Sequence, residues 1–356
     1  MMKYFVITIA FTLLFFSMCC KNEPTKPPDE IIKNPREYTW TIDTLSYPGS
    51  MQTNMQDIWA SSPSDAYVVG HNDQNRGLMY HFDGAGWTDI KLSTIQGGQI
   101  QGPIDLFSIY GFGSNDVYAV GEKIYTNPAP PPNFLDSSLI IHFDGVQWRE
   151  ISIARGRYLS SVWGANSQDV WAGGNFGTLY HYINGTWGKI SFDSLSFISS
   201  IYGLSSTDVY FVIVKEDVIQ PHDSLTYQLW RYNGNTMSMI DSYMVTPTNL
   251  QRKFGYDLWQ TEQKLYSSGY GVYVMEANQW RQFLVNEYPL HIGGSSRNNI
   301  FAVGDFGRIF HWNGTDWLRL TAIENPNVQY LSVWANNKEA IIVGNDGSRT
   351  YVFHGK

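Results

Sequence analysis

The sequence predicts an all-β protein, a seven-bladed β-propeller with four-stranded blades, closed by an N-terminal strand that completes the last blade. Three observations lead there. A stretch of four short apolar runs separated by tight turns returns seven times along the chain. Residues 39–356 divide among those copies at about 45 residues each, the period of a four-stranded blade. The last copy lacks its fourth strand, and a spare strand stands ahead of the first copy.

The clearest copy is residues 159–190, LSSVWGANSQDVWAGGNFGTLYHYINGTWGKI. Its 161–164 segment is a short apolar run, and 165–168 is a polar turn. Residues 169–173 alternate around Val170 and Ala172, the period-2 mark of a strand. A second turn at 175–177 leads to a third strand at 178–182. Asn184-Gly185 is a hairpin signal, because both residues tolerate positive φ, and Trp187 opens the fourth strand.

The other copies follow in order. Asp57-Ile58-Trp59 opens the first, Ser108-Ile109-Tyr110-Gly111 the second and Ser200-Ile201-Tyr202-Gly203 the fourth. Asp257-Leu258-Trp259 opens a degenerate fifth copy, residues 292–294 a clear sixth and Ser332-Val333-Trp334 the last. That last copy ends after its third strand, at 349–353. Tyr38-Thr39-Trp40-Thr41-Ile42 has the character of the missing fourth strand. Its insertion would close the ring and hide two sheet edges.

This repeat resembles those of bacterial exported propellers with the pattern SVWG-x-S-x-x-D-V-Y-A-V-G…H-x-D-G-x-x-W. It is loosely similar to sialidase-type and photosystem-assembly-factor-type propellers. The resemblance covers nearly all of residues 39–356 and implies the architecture. Function must be argued separately, because such folds host unrelated activities.

The chain has 356 residues, 15% aromatic and 16% charged, with 32 glycines, which suits an all-β repeat protein with many turns. A formal charge of −8 argues against nonspecific nucleic-acid binding. Residues 1–19 read as a lipoprotein signal peptide: Lys3, an apolar run over 5–16, then Cys19-Cys20. Those are the two cysteines of the chain, and a disulfide between neighbours is strained. Cys20 is the expected lipid acceptor, with Cys19 the alternative. Residues 20–37, Pro-rich and of balanced charge, form a flexible tether before the propeller at 38–356. A lysine directly after Cys20, with no Asp there, resembles lipoproteins sent to an outer membrane. The expectation is a propeller held by its lipid in the bacterial cell envelope.

Catalytic motifs are missing from the sequence. It has no Asp-x-Asp, G-x-S-x-G, Walker loop or H-E-x-x-H. Glu216, Asp217 and Asp223 share one long loop with Tyr227 nearby, and read as solvated acids. His81, His142, His181 and His311 recur just before the Asp/Asn-Gly turns. Equivalent places in different blades cannot converge on one ion, so they read as blade-packing or turn-supporting residues, and no metal or cofactor is expected. The Asp/Asn-Gly pairs differ from a sialidase Asp-box, since Asp83 and Gly84 are adjacent. They read as hairpin turns followed by a core Trp: Trp87, Trp148, Trp187 and Trp317.

Two features remain for function. Asp57, Ser108, Ser161, Ser200, Asp257, His291 and Ser332 precede the inner-strand aliphatic in the seven copies, and all are polar. They read either as a polar channel mouth that holds water, an ion or a ligand group, or as residues bonding to the neighbouring blade. The second feature is an asymmetry of loops. Turns between first and second strands are uniformly four residues in the copies compared. The insertions fall on the opposite face, at 71–77, 91–106, 122–138, 214–226 and 241–256. Tyr125, Phe134, His222, Asp223 and Tyr227 are candidate contacts there for an envelope protein or a glycan. The sequence thus points to a non-enzymatic binding or scaffold module. The alternative is a carbohydrate-binding or carbohydrate-active propeller using that same face.

Overall fold

The computed structural model describes residues 33–74, 76–126, 134–216, 224–250 and 252–356. Cys19, Cys20, His222 and Asp223 lie outside the described residues. The described chain forms seven four-stranded antiparallel sheets, as the repeats required. Blade 3 is the template: Leu159–Asn166, Asp169–Gly174, Thr178–Ile183 and Thr186–Ser191. In blade 7, Gln329–Ala335, Ala340–Asn345 and Thr350–Gly355 are joined by Trp40–Leu45. Trp40 pairs with Gly355 and Leu45 with Thr350, so the N-terminal strand occupies the place that the last copy leaves empty.

The core lies in the seams between blades. Ile58 and Val68 of blade 1 pack with Leu45, Ile341, Val343 and Val352 of blade 7. Tyr67 and Val69, on the opposite side of blade 1, pack with Ile109, Val117 and Ala119 of blade 2. Alternate residues of a strand face opposite sides, so each blade buries both faces against its two neighbours. Both faces being buried explains why the second strands read as almost continuous apolar runs, such as Ala340 to Val343.

Turn chemistry differs from the sequence expectation in two ways. The first-to-second-strand turns tighten from four residues to two in six blades, because the flanking residues pair, as Ser62 does with Asp65 and Asn166 with Asp169. Asn184 and Gly185 have φ of 53° and 78° and make the expected two-residue hairpin. The corresponding turns at Asp83, Asp144, Asn233 and Asn313 are instead closed by the side chain. Asp83 Oδ1 accepts the amides of Ala85 and Gly86 at 2.9 and 3.0 Å, and the other three repeat this bond pair. The four Trp that follow are half-buried on the seam clusters.

Two of the five insertions, 122–138 and 214–226, continue the strand pairing of their blades as far as the described residues go. Asp116–Thr126 pairs with Phe134–Phe143 out to Thr126 opposite Phe134, and Asp208–Glu216 with Leu225–Tyr232 out to Glu216 opposite Leu225. A segment that rises beyond the blade must still satisfy its backbone, and cross-strand bonding does so within the hairpin.

Candidate functional site

The seven inner strands line a central channel of about 420 Å³. In six blades a β-bulge falls on the residue just before the polar position, for example Gln56 before Asp57 and Phe107 before Ser108. Such a bulge bends the strand and re-aims the following side chain.

Each polar side chain then accepts a backbone N–H from the next blade. Asp57 Oδ2 accepts from Ile109 at 3.0 Å, Ser108 Oγ from Val162 at 3.3 Å and Ser161 Oγ from Ile201 at 3.0 Å. Ser200 Oγ accepts from Leu258 at 3.1 Å and Asp257 Oδ2 from Ile292 at 3.1 Å. His291 Nδ1 accepts from Val333 and Ser332 Oγ from Ile58, both at 3.4 Å. The circuit is complete: seven residues predicted as a ring form a belt that ties every blade to the next. An inner strand has no sheet partner on its axial side, so its amides need an acceptor, and the belt supplies one.

The two carboxylates are the most heavily engaged members. Asp57 accepts the hydroxyls of Ser332 and Ser108 at 2.7 and 3.0 Å, besides the amides of Ile58 and Ile109. Asp257 accepts Ser200 Oγ at 3.1 Å and lies 3.2 Å from His291 Nε2. Nδ1 of His291 accepts the Val333 amide, which leaves Nε2 on the side of the Asp257 carboxyl. Burial raises the Asp257 carboxyl above its ordinary value, against the pull of His291 and the donated bonds.

Beyond the belt, toward the two-residue turns, lies a tier that sequence reasoning missed. Trp59, Tyr110, Trp163, Tyr202, Trp259 and Trp334 follow the inner-strand aliphatic in six blades, and all line the channel. Gly293 holds the place in blade 6. The signal was present as an aromatic two positions after the polar residue in six of the seven copies. A Cβ on Gly111 would lie 2.6 Å from the Trp59 ring, and one on Gly203 would lie 2.9 Å from Trp163. Glycine follows the aromatic in these copies because the preceding blade's ring occupies that space, joined at Gly203 by the Asp208 carbonyl oxygen at 2.5 Å.

The recurring histidines are committed within their own blades. His81, His142 and His181 each place Nε2 2.7 Å from the aspartate that opens the second strand, Asp65, Asp116 and Asp169. His311 does the same with Asn299 at 3.0 Å. The first three stack on Tyr67, Tyr118 and Trp171. No group of three metal-ligating side chains forms among the described residues.

On the insertion-bearing face, the proposed contact residues separate. Tyr125 is half-buried in a strand, with its hydroxyl bonded to Arg155, whose guanidinium lies 5.2 Å from the ring centre. Phe134 opens the strand that pairs with Thr126, and its side chain lies outside the described residues. Tyr227 is a correction: it is 4% exposed, inside the seam of blades 4 and 5, stacked on Tyr243 with centroids 5.3 Å apart. It sits there because Leu225, Tyr227 and Leu229 alternate along a paired strand, which turns all three inward.

A carboxyl cluster also went unread. Asp105 and Glu122 are directly opposite each other on neighbouring strands of blade 2. Burial and mutual repulsion push Asp105 up to about 7. Burial and Asp136 push Glu122 up to about 7, against the opposing charge of Arg157. Arg157 Nε lies 2.7 Å from Asp136.

No protein-family model matches the chain, and no curated protein matches it. Solved structures do. The chain is similar to YCF48 bound to a D1 peptide, at 14% identity and a TM-score of 0.59 over 90% of this chain and 97% of that one. It is similar to YCF48 from Cyanidioschyzon merolae, at 12% identity and a TM-score of 0.57 over 88% and 98%. The WD40 β-propeller domain of Doa1 also matches, at 14% identity and a TM-score of 0.54 over 88% and 96%. Likeness at these identities is one of fold.

Proposed function

We propose that this propeller is a non-catalytic binding module, held in the bacterial cell envelope by a lipid on Cys20, that takes a partner protein on its insertion-bearing face. The observation that carries the reading is the commitment of the polar groups at the axis. Every belt residue accepts a backbone N–H from the next blade, so the belt serves as a frame rather than as a set of free reactive groups. Two tall hairpins extend that frame on one side. Among the propellers of similar fold, YCF48 is bound to a D1 peptide, which supports a protein partner for this chain. The lipid anchor and the envelope address rest on the Cys19-Cys20 sequence and its apolar approach.

The test shortens the 116–143 and 208–232 hairpins to their blade-level ends, joined by Gly-containing turns. Both variants should keep the melting temperature of the parent and lose the envelope protein that co-purifies with it. Retention of the partner by both trimmed proteins would sink the reading. Binding on a glycan array, or release of sugar from a polysaccharide panel, would favour the carbohydrate-directed alternative. Labelling with a fatty-acid analogue tests the anchor separately: the label should disappear in Cys20→Ala.

A further inference from the structure

We propose that the aromatic tier of the central channel is a binding site for an organic cation, an alkylammonium or guanidinium group. The site is separate from the insertion-bearing face, since the tier lies on the side of the two-residue turns.

The chemistry of the lining selects the ligand. Six of the seven blades contribute an aromatic ring at the same position along one cavity of about 420 Å³; Trp59, Tyr110, Tyr202 and Trp334 are half-buried there, and Trp163 and Trp259 are buried in the seams behind them. That volume holds a small organic ion with room to spare. The rings form a continuous series on one side: Tyr110 to Trp163 is 6.3 Å between centroids, and Trp163 to Tyr202 is 6.2 Å. The same lining includes Asp57 and Asp257 but no lysine or arginine. An anion entering the channel would meet two carboxylates with His291 as the one basic side chain of the lining. A metal ion would have to displace the N–H and O–H donors that already occupy both carboxylates. An organic cation needs neither concession. It loses little hydration, gains the aromatic quadrupoles and feels the carboxylates without direct ligation.

The Tyr202 hydroxyl is held above its ordinary range chiefly by burial, and then by Tyr110 and Asp257. Blade 6 has Gly293 where the others have an aromatic, because the next blade packs closely there: a Cβ would lie 2.8 Å from the Val333 carbonyl oxygen. A formal charge of −8 on the chain favours the approach of a cation over that of an anion.

The full-length propeller, titrated calorimetrically, provides the test. The probes are tetramethylammonium chloride, the peptide acetyl-Gly-Arg-Gly-amide and the neutral isostere 3,3-dimethyl-1-butanol. At least one cation should bind, and the neutral alcohol should bind about tenfold more weakly or not at all. Tighter binding of the peptide would assign the cation to an arginine side chain of a partner. Tighter binding of tetramethylammonium would assign it to a free small molecule. Trp59→Leu and Trp334→Leu should each weaken the cation about tenfold, while Trp87→Leu on an outer strand should not. Absence of binding by both cations, or equal binding of the neutral isostere, overturns the proposal. So does full cation binding by folded Trp59→Leu and Trp334→Leu proteins. If those variants fail to fold, the comparison of cation with isostere on the parent protein still decides.

Discussion

Ser332 donates its hydroxyl to Asp57 at 2.7 Å, across 275 positions of sequence. The bond joins the last blade to the first. Asp57 also accepts Ser108 Oγ and the Ile109 amide of blade 2, so one carboxylate spans both seams of its blade.

Loss of that carboxylate should cost more than loss of a belt serine. Asp57→Ala takes the acceptor from the Ser332 and Ser108 hydroxyls and the Ile109 amide, and one of two acceptors from the Ile58 amide, and should destabilise by about 3–5 kcal/mol. Ser161→Ala strands the Ile201 amide and should cost about 1–2 kcal/mol. Urea unfolding of both variants gives the comparison. Equal costs would show that the belt is not concentrated at Asp57.

Ring closure depends on Trp40–Leu45. Removing residues 1–45 takes away that strand and Tyr38, which is buried in the seam of blades 6 and 7. It should leave the edge at Thr350–Gly355 unpaired and cause aggregation or partial unfolding. Removing residues 21–32 alone should leave the melting temperature unchanged. Identical thermal scans for the two truncations would contradict closure by the N-terminal strand.

The Asp105–Glu122 pair should make stability fall with rising pH. Both carboxyls stand near 7 in the folded protein against ordinary values of 3.8 and 4.5. The folded state therefore holds protons that the unfolded state has released. The pair's cost is absent below the unfolded values, grows as pH rises through the window between about 4 and 7, and is complete above it. Asp105→Asn and Glu122→Gln should raise the melting temperature at about pH 8, with little difference from the parent at about pH 4. Arg157 and Asp136 flank the pair, so each substitution should be made with both intact. A pH-independent effect would show that the two groups do not titrate in this range.

The packing of Trp59 on Gly111 is testable with a single methyl group. Gly111→Ala puts a Cβ 2.6 Å from the ring and should cost about 1–3 kcal/mol. Gly113→Ala, two positions on in the same strand, meets nothing within 4 Å and should be close to neutral. Thermal melts that rank the two variants in the opposite order would contradict the placement of the ring.

The sequence alone determined the number of blades, the strand that closes the ring and the positions of the turns. Those features are local or repeated: alternation around Val170 and Ala172, the Asn184-Gly185 pair and the missing fourth strand after Phe353 are visible in short windows. It also located the seven belt residues, but could not choose between a ligand-holding mouth and a contact between blades. The acceptor and donor of one belt bond, such as Ser161 and Ile201, are 40 residues apart, and only the closed ring brings them together. The tertiary structure likewise decided that Tyr227 is core, that two of the insertions extend paired strands and that Asp105 faces Glu122. Each follows from strand register, which depends on pairing between distant segments. A repeat spells out the contents of a blade, whereas the seams and the axis are made by different copies meeting. The chemistry of this propeller is set where those copies meet.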